Sequence, residues 1–138
     1  MKKIFIILAI VLSISCNSDD NDPSSKNNLK GRWNWIVSSG GFTGAKVTPE
    51  TSKQTKVLEF SGSYLKTYIN GSLSGKQKFL VKTKKSIFGG DKQMIVIDKG
   101  NSLTEEYYID RSFEIKGNKL YLSDECADCY TSEYERIK

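Results

Sequence analysis

Gln77-Lys78-Phe79-Leu80-Val81-Lys82-Thr83-Lys84 puts Gln77, Phe79, Val81 and Thr83 on one side of an extended chain and Lys78, Lys82 and Lys84 on the other. A period of two describes a strand with one dry face and one wet face. The pattern recurs along the chain. Trp33, Trp35 and Val37 alternate with Asn34 and Ser38, and Leu58 and Phe60 flank Glu59. Leu103, Tyr107 and Ile109 share a face, as do Phe113 with Ile115 and Leu120 with Leu122. Met94 to Ile97 is apolar on both sides, which suggests a strand buried twice or covered by a loop. Between these runs stand Ser61-Gly62-Ser63, Asn70-Gly71, Gly89-Gly90, Gly100-Asn101 and Gly117-Asn118. Asn-Gly accepts the positive φ values that tight hairpins need.

No window of a dozen residues carries a convincing helical period. The expectation is an all-β domain: about eight or nine short strands with little helix, in an antiparallel up-and-down meander. Closing such a meander removes its exposed edges. About eight strands enclose an interior that side chains fill or that holds one small ligand. A β-sandwich is the competing architecture.

The chain has 138 residues and no histidine, which removes histidine-based triads, metal sites and proton shuttles. Lys and Arg number 21 against 16 Asp and Glu, a net charge of +5. The surplus collects at Lys76, Lys78, Lys82, Lys84, Lys85 and Lys92. It reads as the solvated face of one hairpin, or else as an attraction for an anionic partner or glycan. Nucleic acid is not an expected partner, and a monomer is expected.

Met1-Lys2-Lys3 is a basic start, followed by the apolar run Ile4 to Ile14, interrupted only by Ser13. As a helix that run rises roughly 16 Å, about half of a ~30 Å hydrocarbon core, so residues 1–15 read as a signal peptide rather than a membrane span. Ser13-Ile14-Ser15-Cys16 resembles the lipobox of lipoprotein signals, with Leu12 one place further out than usual. Asn17-Ser18-Asp19-Asp20-Asn21-Asp22 resembles the acidic export signal that follows the lipidated cysteine in Bacteroidetes-type lipoproteins. The resemblance implies lipidation at Cys16 by palmitate-type acyl chains and anchorage in the outer membrane, with either the inner face or the cell surface as its location. Asn17 to Asn28 holds no apolar residue except Pro23, so residues 16–28 are expected to be the lipidated end and a disordered tether, and residues 29–138 the domain.

Leu29-Lys30-Gly31-Arg32-Trp33 resembles the first strand of a lipocalin-type barrel, which carries a Gly-x-Trp. In that family the tryptophan plugs the closed end and an arginine from the last strand stacks on it. Here those residues are Trp33 and Arg136. Gly40-Gly41-Phe42-Thr43-Gly44, Thr48-Pro49-Glu50 and Asp124-Glu125-Cys126-Ala127-Asp128, with Tyr134 and Arg136, resemble a lipocalin-like domain of small Bacteroidetes lipoproteins. That resemblance implies a barrel in the cell envelope and no catalytic residue. Where the pattern has glycine after Cys-Ala-Asp, this chain has Cys129. Cys126 and Cys129 then form a local disulfide or stay free thiols, with a redox pair and a zinc site as lesser readings.

The aromatic side chains either fill a small barrel or line its mouth. Trp35, Tyr68, Glu105 and Tyr107 are the candidate ligand-binding residues. Glu105 shares a face with Leu103 and Tyr107, where a buried carboxylate needs a cation such as Arg136, or a ligand. The chain lacks a phosphate-binding glycine loop, and its serines lack their usual base, so an enzyme is not expected. No cofactor and no metal is expected. The sequence favours a carrier of a small apolar ligand, and the other reading is a filled barrel that docks an envelope protein or a glycan.

Overall fold

The structure, a computed structural model, describes residues 23–100 and 108–138. Its strands are β1 (Gly31–Gly40), β2 (Ala45–Val47), β3 (Lys56–Ser61), β4 (Tyr64–Ile69), β5 (Ser72–Lys85), β6 (Asp91–Ile97), β7 (Arg111–Lys116), β8 (Lys119–Asp124) and β9 (Tyr130–Arg136). A short helix α1 (Pro23–Leu29) precedes β1, and α2 (Pro49–Ser52) lies between β2 and β3. β1 and β3 to β9 each pair antiparallel with the next, and β1 pairs with β9. The result is a closed eight-stranded up-and-down barrel, which excludes the sandwich. β2 is the one additional strand, held on the far end of β1 by Ser38, Ser39 and Gly40.

The alternation does what a pleated strand requires. Trp33, Trp35, Leu58, Phe60, Leu65, Phe79, Val81, Ile95, Leu120, Leu122 and Tyr134 join Leu29 in one buried cluster. Phe60 and Phe79 meet edge to face with ring centroids 5.3 Å apart. Asn70-Gly71 forms the two-residue hairpin between β4 and β5, with φ of 49° and 79°. Met94 and Ile95 are both buried, in keeping with their unbroken apolar run.

Val37 departs from the alternation. A bulge between Trp35 and Val37 sets Val37 opposite Glu133 and Ser38 opposite Ser132. One extra residue inverts the parity beyond it, so Ser38, not Val37, follows Trp35 on the inner face.

The tether expected to reach Asn28 is helical from Pro23, so the folded domain begins earlier than residue 29. Local composition gives those residues little to bury; the barrel supplies the contacts. Leu29 is fully buried, and its carbonyl accepts a hydrogen bond from Trp33 Nε1 at 2.8 Å. Arg136 donates from Nη1 to the Lys30 carbonyl and from Nη2 to the Asn28 carbonyl, both at 2.7 Å. The Asn28 carbonyl is one that the α1 C-terminus leaves unsatisfied, and a cation is the favourable partner there. The same guanidinium lies over the Trp33 ring, 4.0 Å from its centroid. Lys26 reaches across to the Phe79 ring at 5.1 Å and to Ser63 Oγ at 3.2 Å. This end of the barrel is closed.

The β5–β6 hairpin leaves the wall, because β6 pairs with β7 only at Met94 and Ile95. The Glu125 carboxylate holds its tip, accepting from Ser86 Oγ at 2.9 Å and from the Ile87 amide at 2.9 Å. Burial would raise the Glu125 pKa, but hydrogen bonds from Ser112, Ile87 and Ser86 outweigh it and keep the carboxyl below its ordinary range. Lys84 pairs with Asp110 on the same side.

Candidate functional site

At the opposite end from Arg136 the strands spread around a cup of about 340 Å³. Gly40 and Tyr130 pair there, as do Arg111 and Asp124, and Lys56 begins β3. Trp35, Leu122 and Tyr134 form the floor above the packed cluster. Val47, Ser52 and Gln54, from the end of β2 and the α2-containing connection to β3, line one side. Local chemistry fixes that segment. Thr48 caps α2 in a reciprocal box with Thr51, and Pro49 supplies a first-turn φ that suits a helix.

A chain of hydroxyls crosses the cup. Trp35 Nε1 donates to Ser38 Oγ at 2.9 Å, and Ser38 Oγ shares a 2.6 Å hydrogen bond with Ser132 Oγ. Ser132 in turn bonds Tyr134. Burial pushes the Tyr134 phenol up to about 12, against the opposing influence of Arg111, so it stays a neutral hydroxyl. The bulge in β1 is what turns Ser38 into this row.

Charge is the unusual feature. Lys56 is on the inner face of β3, in step with Leu58 and Phe60, and its ammonium lies 5.1 Å from the Trp35 ring centroid. Arg111 is in step with Phe113, and Asp124 with Leu122. Among the described residues, neither Lys56 nor Arg111 has a carboxylate within 4.0 Å. Burial lowers the Lys56 pKa, the like charge of Arg111 lowers it further, and Asp124 only partly compensates.

The candidate residues scatter. Trp35 lines the cup. Tyr68 does not: it pairs with Val57 on the outer face, its hydroxyl 3.4 Å from Glu59 Oε2 and its ring under Arg32 at 5.8 Å. Strand parity forces this, because Leu65 and Thr67 take the inner positions of β4 beside Phe60 and Leu58. Glu105 and Tyr107 lie outside the described residues, as do Cys16 and the signal segment. Arg136, the cation offered to Glu105, has its fork committed to α1 at the closed end.

Cys126 and Cys129 form a disulfide, with Cα atoms 5.5 Å apart, in the turn between β8 and β9. The thiolates that a zinc site would use are thereby joined to each other, and the segment that follows is strand β9 rather than helix. The turn packs tightly on β1. Gly40 has φ of 148°, and a Cβ there would meet the Cys129 carbonyl oxygen. Gly41 donates its amide to the same carbonyl at 3.2 Å.

Sequence reasoning missed Lys56, Arg111, Asp124 and Ser38. The signal for the first three was present: each stands two residues from an inward apolar side chain, the same parity that singled out Glu105. Ser38 had no such signal, since only the bulge turns it inward. A second recess of about 380 Å³ lies between Lys92 and Gln93 of β6 and Glu114 and Tyr121 of β7 and β8. No protein-family model, curated protein or solved structure matches the chain.

Proposed function

We propose that this chain is a lipid-anchored protein of the outer membrane whose lipocalin-like barrel binds a small ligand in its open cup. One observation carries the reading: the barrel is plugged at one end by Trp33, Arg136 and α1, and at the other it leaves about 340 Å³ above an aromatic floor. A concave site with a few convergent polar groups is the usual form of a small-molecule pocket. The acidic run after Cys16 and the lipobox-like Ser13-Ile14-Ser15-Cys16 support the anchor. The protein works as a monomer, without catalysis and without nucleic acid.

Native mass spectrometry of protein isolated from its own envelope tests this. The expected result is a bound small molecule, seen as added mass that unfolding releases. A mass that unfolding leaves unchanged, together with no saturable small-molecule binding, would reject the carrier. For the anchor, Cys16→Ala should move the protein from the membrane fraction to the soluble fraction, and retention in the membrane would reject it.

A second reading is favoured by the surface. Phe42 is 92% exposed on the β1–β2 turn, and Ile87 and Phe88 are 58% and 59% exposed at the hairpin tip. Large apolar side chains held in water suit a docking module for another envelope protein. Substituting Phe42 and Phe88 by serine would abolish capture of such a partner and leave ligand binding in the cup unchanged.

A further inference from the structure

The geometry points to a small organic carboxylate with an aromatic or compact apolar body as the ligand of the cup, its anion held by Lys56 and Arg111. This inference rests on the small-ligand reading and names the class of molecule. Three observations lead to it.

The first is the imbalance of charge. Among the described residues, the cup presents Lys56 and Arg111 against the single carboxylate of Asp124. Among the described residues no acid sits within 4.0 Å of either cation. Two like charges facing one cup and partly withdrawn from water disfavour each other, and an incoming anion relieves both at once. A guanidinium also offers a planar fork that matches a carboxylate. A cationic ligand or a metal ion would meet repulsion from the same pair.

The second is the lining. Trp35, Tyr130 and Tyr134 set aromatic surface beside the cations, and the Ser38–Ser132 pair adds hydroxyls. A bare inorganic anion uses the cations alone, whereas a ring or compact apolar group also uses the floor.

The third is depth. Below Trp35 the barrel is filled by Trp33, Leu58, Phe60, Leu65, Phe79 and Leu120, all almost fully buried. A long acyl chain would have to displace that cluster, so the ligand is short.

The test compares 2-naphthoate, its uncharged amide 2-naphthamide, and inorganic phosphate, by isothermal titration of the full chain at low salt. The expected result is saturable one-to-one binding of the naphthoate, with the amide at least about tenfold weaker and phosphate weaker still. Lys56→Met and Arg111→Met should each weaken naphthoate binding about tenfold or more and weaken amide binding far less. Equal affinity for naphthoate and naphthamide would overturn the anion assignment while leaving the cup a ligand site. Phosphate binding as tightly as naphthoate would overturn the requirement for an organic body. Binding of none of the three would overturn this inference, and the native mass measurement would then decide separately whether the cup is a ligand site. The amide comparison uses the unsubstituted protein, so the result stands even where a variant folds poorly.

Discussion

Arg136 and Arg111 stand at opposite ends of one barrel, and the structure uses them in opposite ways. Arg136 stacks on Trp33 and gives two 2.7 Å hydrogen bonds to the carbonyls of Asn28 and Lys30. Arg111 faces a cup, beside a second cation and without a salt bridge to any described residue. A cation whose donors are satisfied within the fold contributes stability. One left facing a cavity is available to something outside the chain, because charged groups at a binding site are useful only where the fold has not already neutralised them.

The largest consequence concerns the closed end. Arg136→Ala removes a cation–aromatic contact worth about 0.5–2 kcal/mol and two charge-assisted hydrogen bonds of roughly 1.5–3 kcal/mol each before compensation by water. The expected outcome is a fall in melting temperature of roughly 10 °C or more, at about 4 °C per kcal/mol for a domain of this size, with an altered tryptophan emission. Thermal denaturation followed by circular dichroism and fluorescence checks it. A loss of only a degree or two would mean that the plug is not what holds this end together.

Next comes the turn behind the cup. Replacing Cys126 and Cys129 together by serine removes a crosslink with a sequence separation of 3. So short a loop constrains the unfolded chain by about 2 kcal/mol at most, so a decrease of several degrees is expected. Affinity for the proposed carboxylate should fall as well, since Tyr130 and Ser132 follow the turn directly into the cup. A variant with unchanged stability would show that the Gly40 and Gly41 contacts hold the turn without the bond.

Lys56→Met should move stability the other way. It keeps a stem on Trp35 and removes an ammonium that burial disfavours. A gain of roughly 2–5 °C near neutral pH is expected. The sign of its pH dependence follows from linkage. In the folded protein Lys56 releases its proton at lower pH than in the unfolded chain. Between those two pKa values the unfolded state binds more protons, so native stability rises with pH. The advantage of the Met variant is therefore largest below the folded-state pKa and shrinks as pH approaches the ordinary lysine value near ~10.4. A gain that did not change with pH would assign the effect to packing instead.

The smallest expected effect is at Arg111. Arg111→Met should shift the melting temperature by less than about 2 °C, within the range of substitutions that break no specific contact. A loss as large as that of Arg136→Ala would erase the contrast between the two ends and show that Arg111 is a structural residue.

Much of this molecule was legible residue by residue. The alternation at Phe79-Leu80-Val81 and the Asn70-Gly71 turn are local or strongly patterned features, whereas the Trp33–Arg136 pair followed only from the resemblance to a lipocalin-type first strand. The cup was legible only in part. Trp35 lines it because it shares parity with Trp33. Tyr68 was misplaced because an aromatic side chain does not reveal which face of its strand is dry, and its neighbours Lys66 and Tyr64 are on the outer face with it. Helix α1 was hidden for a different reason: Ser24 to Asn28 contain nothing apolar, and their order depends on Leu29 and on an arginine at the far end of the chain.

The order of polar and apolar side chains was enough to settle strand and turn, and the inner face where alternation is strong and unbroken, because a pleated backbone makes a two-residue period a local property. Closure of the ring, the bulge that brings Ser38 inward, the seating of α1 and the meeting of Lys56 with Arg111 all join residues far apart in the chain. Only the folded barrel determines those, since what brings them together is register between strands, which no single stretch of sequence contains.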